Sequence, residues 1–188
     1  MNQLSIETYR LHLRSLSTSD FDDFFRYRKM PEVALYQSFE AMTKEEAQAF
    51  ILENSNYHFG MPGEWVQYGI EVRETNSLIG DFALKLDLED SKLAELGITI
   101  SPLHQRKGYA KEALLGILNF LFEEYGVQQV IAVADAENVA SVSMLTRVGF
   151  PRGGIVEQEV FFKGKWGKEY HFSLSKEEWK SGQANRIR

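Results

Sequence analysis

Residues 107–125 constrain the fold more than any other stretch of the chain. Ala110, Leu114, Ile117, Leu118, Leu121, Phe122 and Tyr125 recur at the spacing of one helical face, and Gly126 stops the run. An apolar face that wide needs a partner layer, and strand-like runs stand on both sides of it. Before it, residues 8–15 alternate in part, with Tyr9, Leu11 and Leu13 against Arg10, His12 and Arg14. Thr18-Ser19-Asp20 offers a helix start ahead of Phe21, Phe24 and Phe25, and Thr43 with Glu46 reads as a capping box opening a helix to about Asn56. Strands are predicted over Trp65–Val72, 78–86 and Leu93–Ile100.

After the long helix, 127–134 reads as a short buried strand. Asn138 caps a further helix, which Gly149 ends with Phe150 packing back on Leu145. Two last strands, about 155–162 and 167–174, flank the turn Lys163-Gly164-Lys165. The predicted order is strand, two helices, three strands, helix, strand, helix, two strands, an α/β fold with a mixed sheet.

The 188 residues suit one domain, 1–188, with a tail from about 180 to 188. With 44% hydrophobic and 26% charged residues the composition is globular rather than disordered. No run of about eighteen apolar residues is long enough to span a membrane. Met1-Asn2-Gln3-Leu4-Ser5 has neither a basic start nor an apolar signal core. The absence of cysteine removes disulfides, thiolate metal sites and a cysteine nucleophile, and the expected location is the cytoplasm. A net charge of −6 argues against a nucleic-acid surface. It is compatible with a cationic substrate, and equally with plain solubility.

The segment 94–110 carries the chemistry. A strand, Ala94 to Ile100, runs into a tight loop, Gln105-Arg106-Lys107-Gly108-Tyr109-Ala110, and the loop opens the long helix. The first helical turn leaves backbone N–H groups unpaired at the positive end of the dipole, an anion site suited to a pyrophosphate. Gly108 lets an anion approach the backbone closely, and Arg106 and Lys107 add charge at the rim. Neither G-x-x-x-x-G-K-[ST] nor a G-x-G-x-x-G after a strand is present, which sets aside those two nucleotide loops.

Gln105-Arg106-Lys107-Gly108-Tyr109-Ala110 resembles the Q/R-x-x-G-x-G/A loop of GNAT acetyltransferases. Lys111-Glu112-Ala113 is similar to the T-E-A that follows it in the ribosomal-protein N-acetyltransferase-like branch. Asn138-Val139-Ala140-Ser141, Val148-Gly149-Phe150, Leu78-Ile79-Gly80 and Glu178-Trp179 resemble further marks of that branch, so the likeness covers about 8–180. It implies the GNAT fold, a central mixed, mostly antiparallel twisted sheet of about seven strands flanked by about four helices. It also implies direct acetyl transfer from acetyl-CoA to an amine, with no metal.

By the same resemblance, the loop 105–110 holds the pyrophosphate, and backbone groups of Ile98, Thr99 and Ile100 pair with pantetheine and bind the carbonyl oxygen. The strands 94–100 and 128–134 splay to admit it. Asn138 and Ser141 lie beside the cofactor, with helix capping as the plain alternative. Glu95 is the expected base, acting through water, against the plain reading of a surface carboxylate. His104 is a base by type but reads as a solvated loop residue, and Tyr170 as core or rim. Leu145 stands where many relatives carry a proton-donating tyrosine, so that route is absent. Tyr36, Phe39 and Trp65, with Glu40 or Glu64, lie where the branch forms its acceptor cleft. The acceptor is a protein N-terminus, notably ribosomal, or else a small amine such as an aminoglycoside, polyamine or amino-acid derivative. A non-catalytic acyl-CoA-binding module is a third reading. Dimers are common in such families, so a homodimer is compatible with the sequence.

Overall fold

A computed structural model gives the structure of the chain and describes residues 3–87, 92–151 and 156–186. Among the described residues eight strands form one sheet: β1 (Ser5–Glu7), β2 (Leu11–Ser15), β3 (Trp65–Val72), β4 (Ser77–Leu86), β5 (Leu93–Ile100), β6 (Gln129–Asp135), β7 (Val156–Phe162) and β8 (Lys165–Ser175). Their spatial order is β1-β2-β3-β4-β5-β6-β8-β7. Every neighbouring pair is antiparallel except β5 and β6, which run parallel. A parallel pair needs a crossover, and the long helix supplies it.

Six α-helices accompany the sheet among the described residues: α1 (Phe21–Arg28), α2 (Pro31–Ala34), α3 (Lys44–Ser55), α4 (Tyr109–Asn119), α5 (Val139–Val148) and α6 (Lys176–Arg186). The mixed, mostly antiparallel architecture is the one expected, with one strand and two helices more. β1 and α2 are three and four residues long, too short for periodicity to register. α6 occupies most of the stretch read as a tail. Residue 155, the first of the expected strand 155–162, lies outside the described residues.

α4 begins two residues later than the apolar spacing suggests, and from Phe120 to Tyr125 its turns widen into a π-helical stretch. Gly126 then adopts φ +93° and ends it. Most of the stripe is buried as its spacing requires: Leu114, Ile117, Leu118, Leu121 and Phe122 join the core, with Ala113 beside them, but Ala110 is only half-buried and Tyr125 is 40% exposed. Full burial of each large side chain stabilises by about 1.5–3 kcal/mol before entropic costs. A second, smaller core on the other side joins Phe24, Tyr27, Ala47 and Ile51 to Leu16 and Leu78. The sheet thus carries helices on both faces. Tyr9, read as an inward strand residue, instead sits exposed in the β1–β2 turn.

Two predicted helix ends hold in detail. Thr43 Oγ1 accepts from the Glu46 N–H while the Glu46 carboxylate accepts from the Thr43 N–H. Gly149 takes φ +126°, and the N–H groups of Gly149 and Phe150 both donate to the Leu145 carbonyl.

Candidate active site

The parallel pair creates the site. β5 and β6 are in register only at Leu93↔Gln129, Ala94↔Val130 and Glu95↔Ile131. Beyond Glu95 the two strands diverge, although β5 continues to Ile100 and β6 to Asp135. β4 still pairs with β5 as far as Ile100, and β8 with β6 as far as Asp135. The sheet is therefore split by a seam that is closed at Glu95 and open toward the end of β5. Alternate residues of a strand direct their N–H and C=O to opposite edges, so part of the backbone of 96–100 addresses this seam.

At the open end, the chain turns through Pro102–His104 and the basic loop into α4. Gly108 is the N-cap residue of α4, with φ +83°, a left-handed conformation that glycine adopts without strain. Arg106 takes φ +60°. The Gln105 amide donates to the Ile100 carbonyl at 3.0 Å, fastening the loop to the strand it leaves. A cleft of about 690 Å³ lies against this loop, between the end of β5, the start of α4 and one face of α5.

Of the residues read from the sequence as cofactor-binding, Ile98, Thr99, Ile100, Gln105, Arg106, Gly108, Tyr109, Ala110, Asn138 and Ser141 all line the cleft. Lys107 lies outside the lining; its carbonyl accepts from Arg10 Nη1 at 3.1 Å. Glu95 is also outside it, half-buried on the last pair before the seam opens and opposite Lys85 of β4. Asn138 both lines the cleft and caps α5, its Oδ1 accepting from the Ser141 N–H at 3.1 Å. Leu145 is buried in the core and presents no hydroxyl. Tyr170 packs against that core rather than lining the cleft.

On the acceptor side the sequence reading is met in part. Tyr36 lines the cleft, together with Glu32 and Gln37. Phe39 instead stacks on the Arg28 guanidinium at 3.8 Å, Glu40 pairs with Lys163 at 3.2 Å, and Trp65 is half exposed beside Lys85. The segment carrying Tyr36 is pinned from the β7–β8 turn, where Lys163 Nζ donates to the Ala34 and Phe39 carbonyls at 2.8 and 2.7 Å.

Several residues of the site escape sequence reasoning. His104 lines the cleft instead of standing in solvent; burial, with Lys107 nearby, pushes its imidazole below the usual histidine range. Lys111 and Arg147 add positive charge to the lining. Arg147 was legible in principle, because it shares a helical face with Ser141 and Met144. Glu112, in the first turn of α4, is occupied by the β1–β2 turn. Its carboxylate accepts from Thr8 Oγ1, from the Arg10 N–H and from Arg10 Nε, each at 2.7 Å. Burial opposes the charge, but these donors outweigh it and hold the carboxyl below its ordinary value. Arg10 also lies over the Tyr109 ring at 4.4 Å, so the loop is braced from behind.

A sheet opened by a seam, with a helix N-terminus and basic side chains at its mouth, makes a cleft suited to an anionic ligand with an extended arm. The chain belongs to the GNAT acetyltransferase domain family, which matches residues 10–151. The N-acetyltransferase YoaA of Bacillus subtilis, itself uncharacterized, is 30% identical over 159 residues, 85% of this chain and 89% of that one. A GNAT-family acetyltransferase from Bacillus anthracis shares the fold with a TM-score of 0.82 at 23% identity, over 93% of this chain and 99% of that one. A candidate ribosomal-protein-serine acetyltransferase from Vibrio cholerae is 27% identical with a TM-score of 0.75, over 92% and 97%. The protein is accordingly an N-acetyltransferase.

Proposed function

We propose that the protein moves the acetyl group of acetyl-CoA to the N-terminal amine of a protein, in the manner of the ribosomal-protein branch of its family. The observation that carries this reading is the coincidence of two features at one end of β5: the open seam and the left-handed Gly108 at the start of α4. The residues fit the anionic half of the cosubstrate. Unpaired N–H groups of the first turn of α4 would hold the pyrophosphate, with Arg106, Lys111 and Arg147 around it. Backbone groups of Ile98, Thr99 and Ile100 on the seam would hold the pantetheine arm, and Asn138 and Ser141 its other side.

When bound, acetyl-CoA supplies an activated acetyl thioester. Glu95, at the closed end of the seam, takes the proton of the incoming amine through water. Leu145 is buried and offers no proton, and water entering the open cleft can return one to the leaving sulfur. We read the chain as one domain acting in the cytoplasm without metal, nucleic acid or membrane, and a homodimer is compatible with this. The choice of a protein acceptor rests on the likeness to the Vibrio cholerae enzyme.

Calorimetric titration with acetyl-CoA, on the wild type and Gly108→Glu, tests the cofactor half. Tight binding that the variant loses supports it, whereas a folded wild type that binds nothing sinks it. Thiol release with peptides beginning in Ser or Ala, against spermidine, tests the acceptor half. Faster turnover of spermidine would move the assignment to a small amine.

A further inference from the structure

We propose that Gly97 determines acyl specificity: its missing side chain leaves the space into which the acyl group of the bound thioester projects. The inference rests on the seam being the pantetheine site, as proposed above.

Nothing in the local structure calls for glycine at this position. Gly97 lies in strand β5 with backbone outside the left-handed region, so any residue could adopt it. A Cβ built there meets no atom within 4 Å. Gly80, on the neighbouring strand, is different: its Cβ would run into the Thr99 carbonyl oxygen, and glycine there is a packing requirement. Glycine inside a strand weakens it by about 0.5–1 kcal/mol relative to alanine, and where no bulge or packing contact requires it, close approach by a ligand is a common reason for it.

The position says which part of the ligand approaches. The β5–β6 ladder closes at Glu95↔Ile131, so an arm lying in the seam can go no further than the residues just beyond that pair. Leu96 is the first of these, and it faces the main core with Ala94 and Ile100. Gly97 is the second, and it shares a face with Glu95 and Thr99, the face whose β4 partners are Lys85 and Asp81. Below, the ladder is shut; behind, Leu96 packs in the core; in front, a Cβ on Gly97 would meet no atom, and the adjoining Ile98 and Thr99 line the cleft. The end of the arm therefore emerges on the face that carries Glu95. An amine approaching from that face meets the acyl carbon beside the carboxylate assigned as base.

Calorimetric titration of wild type, Gly97→Ala and Gly97→Val with CoA and with acetyl-CoA decides the matter, with a thermal melt of each free protein. Valine favours strands, so the melting temperature should not fall. CoA should bind all three alike, while acetyl-CoA should weaken roughly tenfold or more in Gly97→Val and by a smaller factor in Gly97→Ala. Acetyl-CoA binding in Gly97→Val equal to wild type overturns the proposal. So does an equal loss of CoA and acetyl-CoA, which would make the residue part of the pantetheine track. Should Gly97→Val fail to fold, Gly97→Ala decides alone, and unchanged discrimination between CoA and acetyl-CoA overturns the proposal. A folded wild type that binds neither ligand instead refutes the seam as a CoA site.

Discussion

Gly108 and Glu112 stand four residues apart and fail in different ways. At φ +83° an L side chain is strained, so Gly108→Ala should destabilise the free protein by about 1 kcal/mol and also weaken acetyl-CoA binding. Its Cβ would come to 3.4 Å from Arg10 Nη2, a flexible neighbour that can yield, so most of the cost is in the backbone. A melt of the free protein reads that cost apart from the ligand. Glu112 is an electrostatic case. Its folded carboxyl titrates below the ordinary 4.5, so the unfolded chain binds the proton more readily. Its contribution to stability is therefore complete above about pH 4.5 and drains away as the pH falls through the lower folded value. Urea unfolding of wild type and Glu112→Gln should differ at neutral pH and lose that difference in acid. A gap that persists undiminished in acid would falsify this account.

At the scale of elements, the question is what holds the walls of the cleft. Asn138→Ala removes the cap of α5 and should cost about 1 kcal/mol in chemical denaturation. Lys163 reaches across from the β7–β8 turn to the carbonyl of Ala34, the last residue of α2, and to that of Phe39 beyond it. Its replacement by Met should speed limited proteolysis within residues 34–40 and raise KM for the amine, with CoA affinity unchanged. The elements themselves were largely legible. β3, β4 and β5 show as long apolar-rich runs, and the caps at Thr43 and Gly149 follow from local chemistry that needs no distant partner. Gly108 and Asn138 were found for the same reason. What was hidden lies in pairs remote along the chain: Arg10 to Glu112 over 102 residues, and Arg28 to Asp81 over 53. Such pairs depend on strand order, and the exchange that places β8 rather than β7 beside β6 leaves no periodic mark. Glu95 was named from the resemblance, but nothing in the alternating strand marks Gly97 until the ladder is seen to stop between them.

Across the whole molecule, the layers are tied by a buried charge. Asp81 of β4 is fully buried and accepts from Tyr27, from Gln67 and, in a fork, from Arg28 at 3.1 and 2.5 Å. Burial first, and then Asp81, pushes the Tyr27 hydroxyl well above its usual range, so it remains a donor. Asp81→Asn leaves Arg28 buried without its counter-charge and should destabilise by about 3–5 kcal/mol, read as an earlier urea midpoint with an unchanged slope. Similar unfolding of the two proteins would show that water reaches Arg28. The seam has a mechanical consequence as well. Within the sheet, β1–β5 and β6–β8 are two plates joined by three residue pairs, and the core they share and the Lys163 bonds supply the rest of the contact between them. With so narrow a joint, the plates should open separately in the free protein, and hydrogen exchange should find the amides of β6 and β8 less protected than those of β3 and β4. A ligand lying along the seam would act as the absent strand between the plates. Its arrival should then show in the cooperativity with which the two plates come apart.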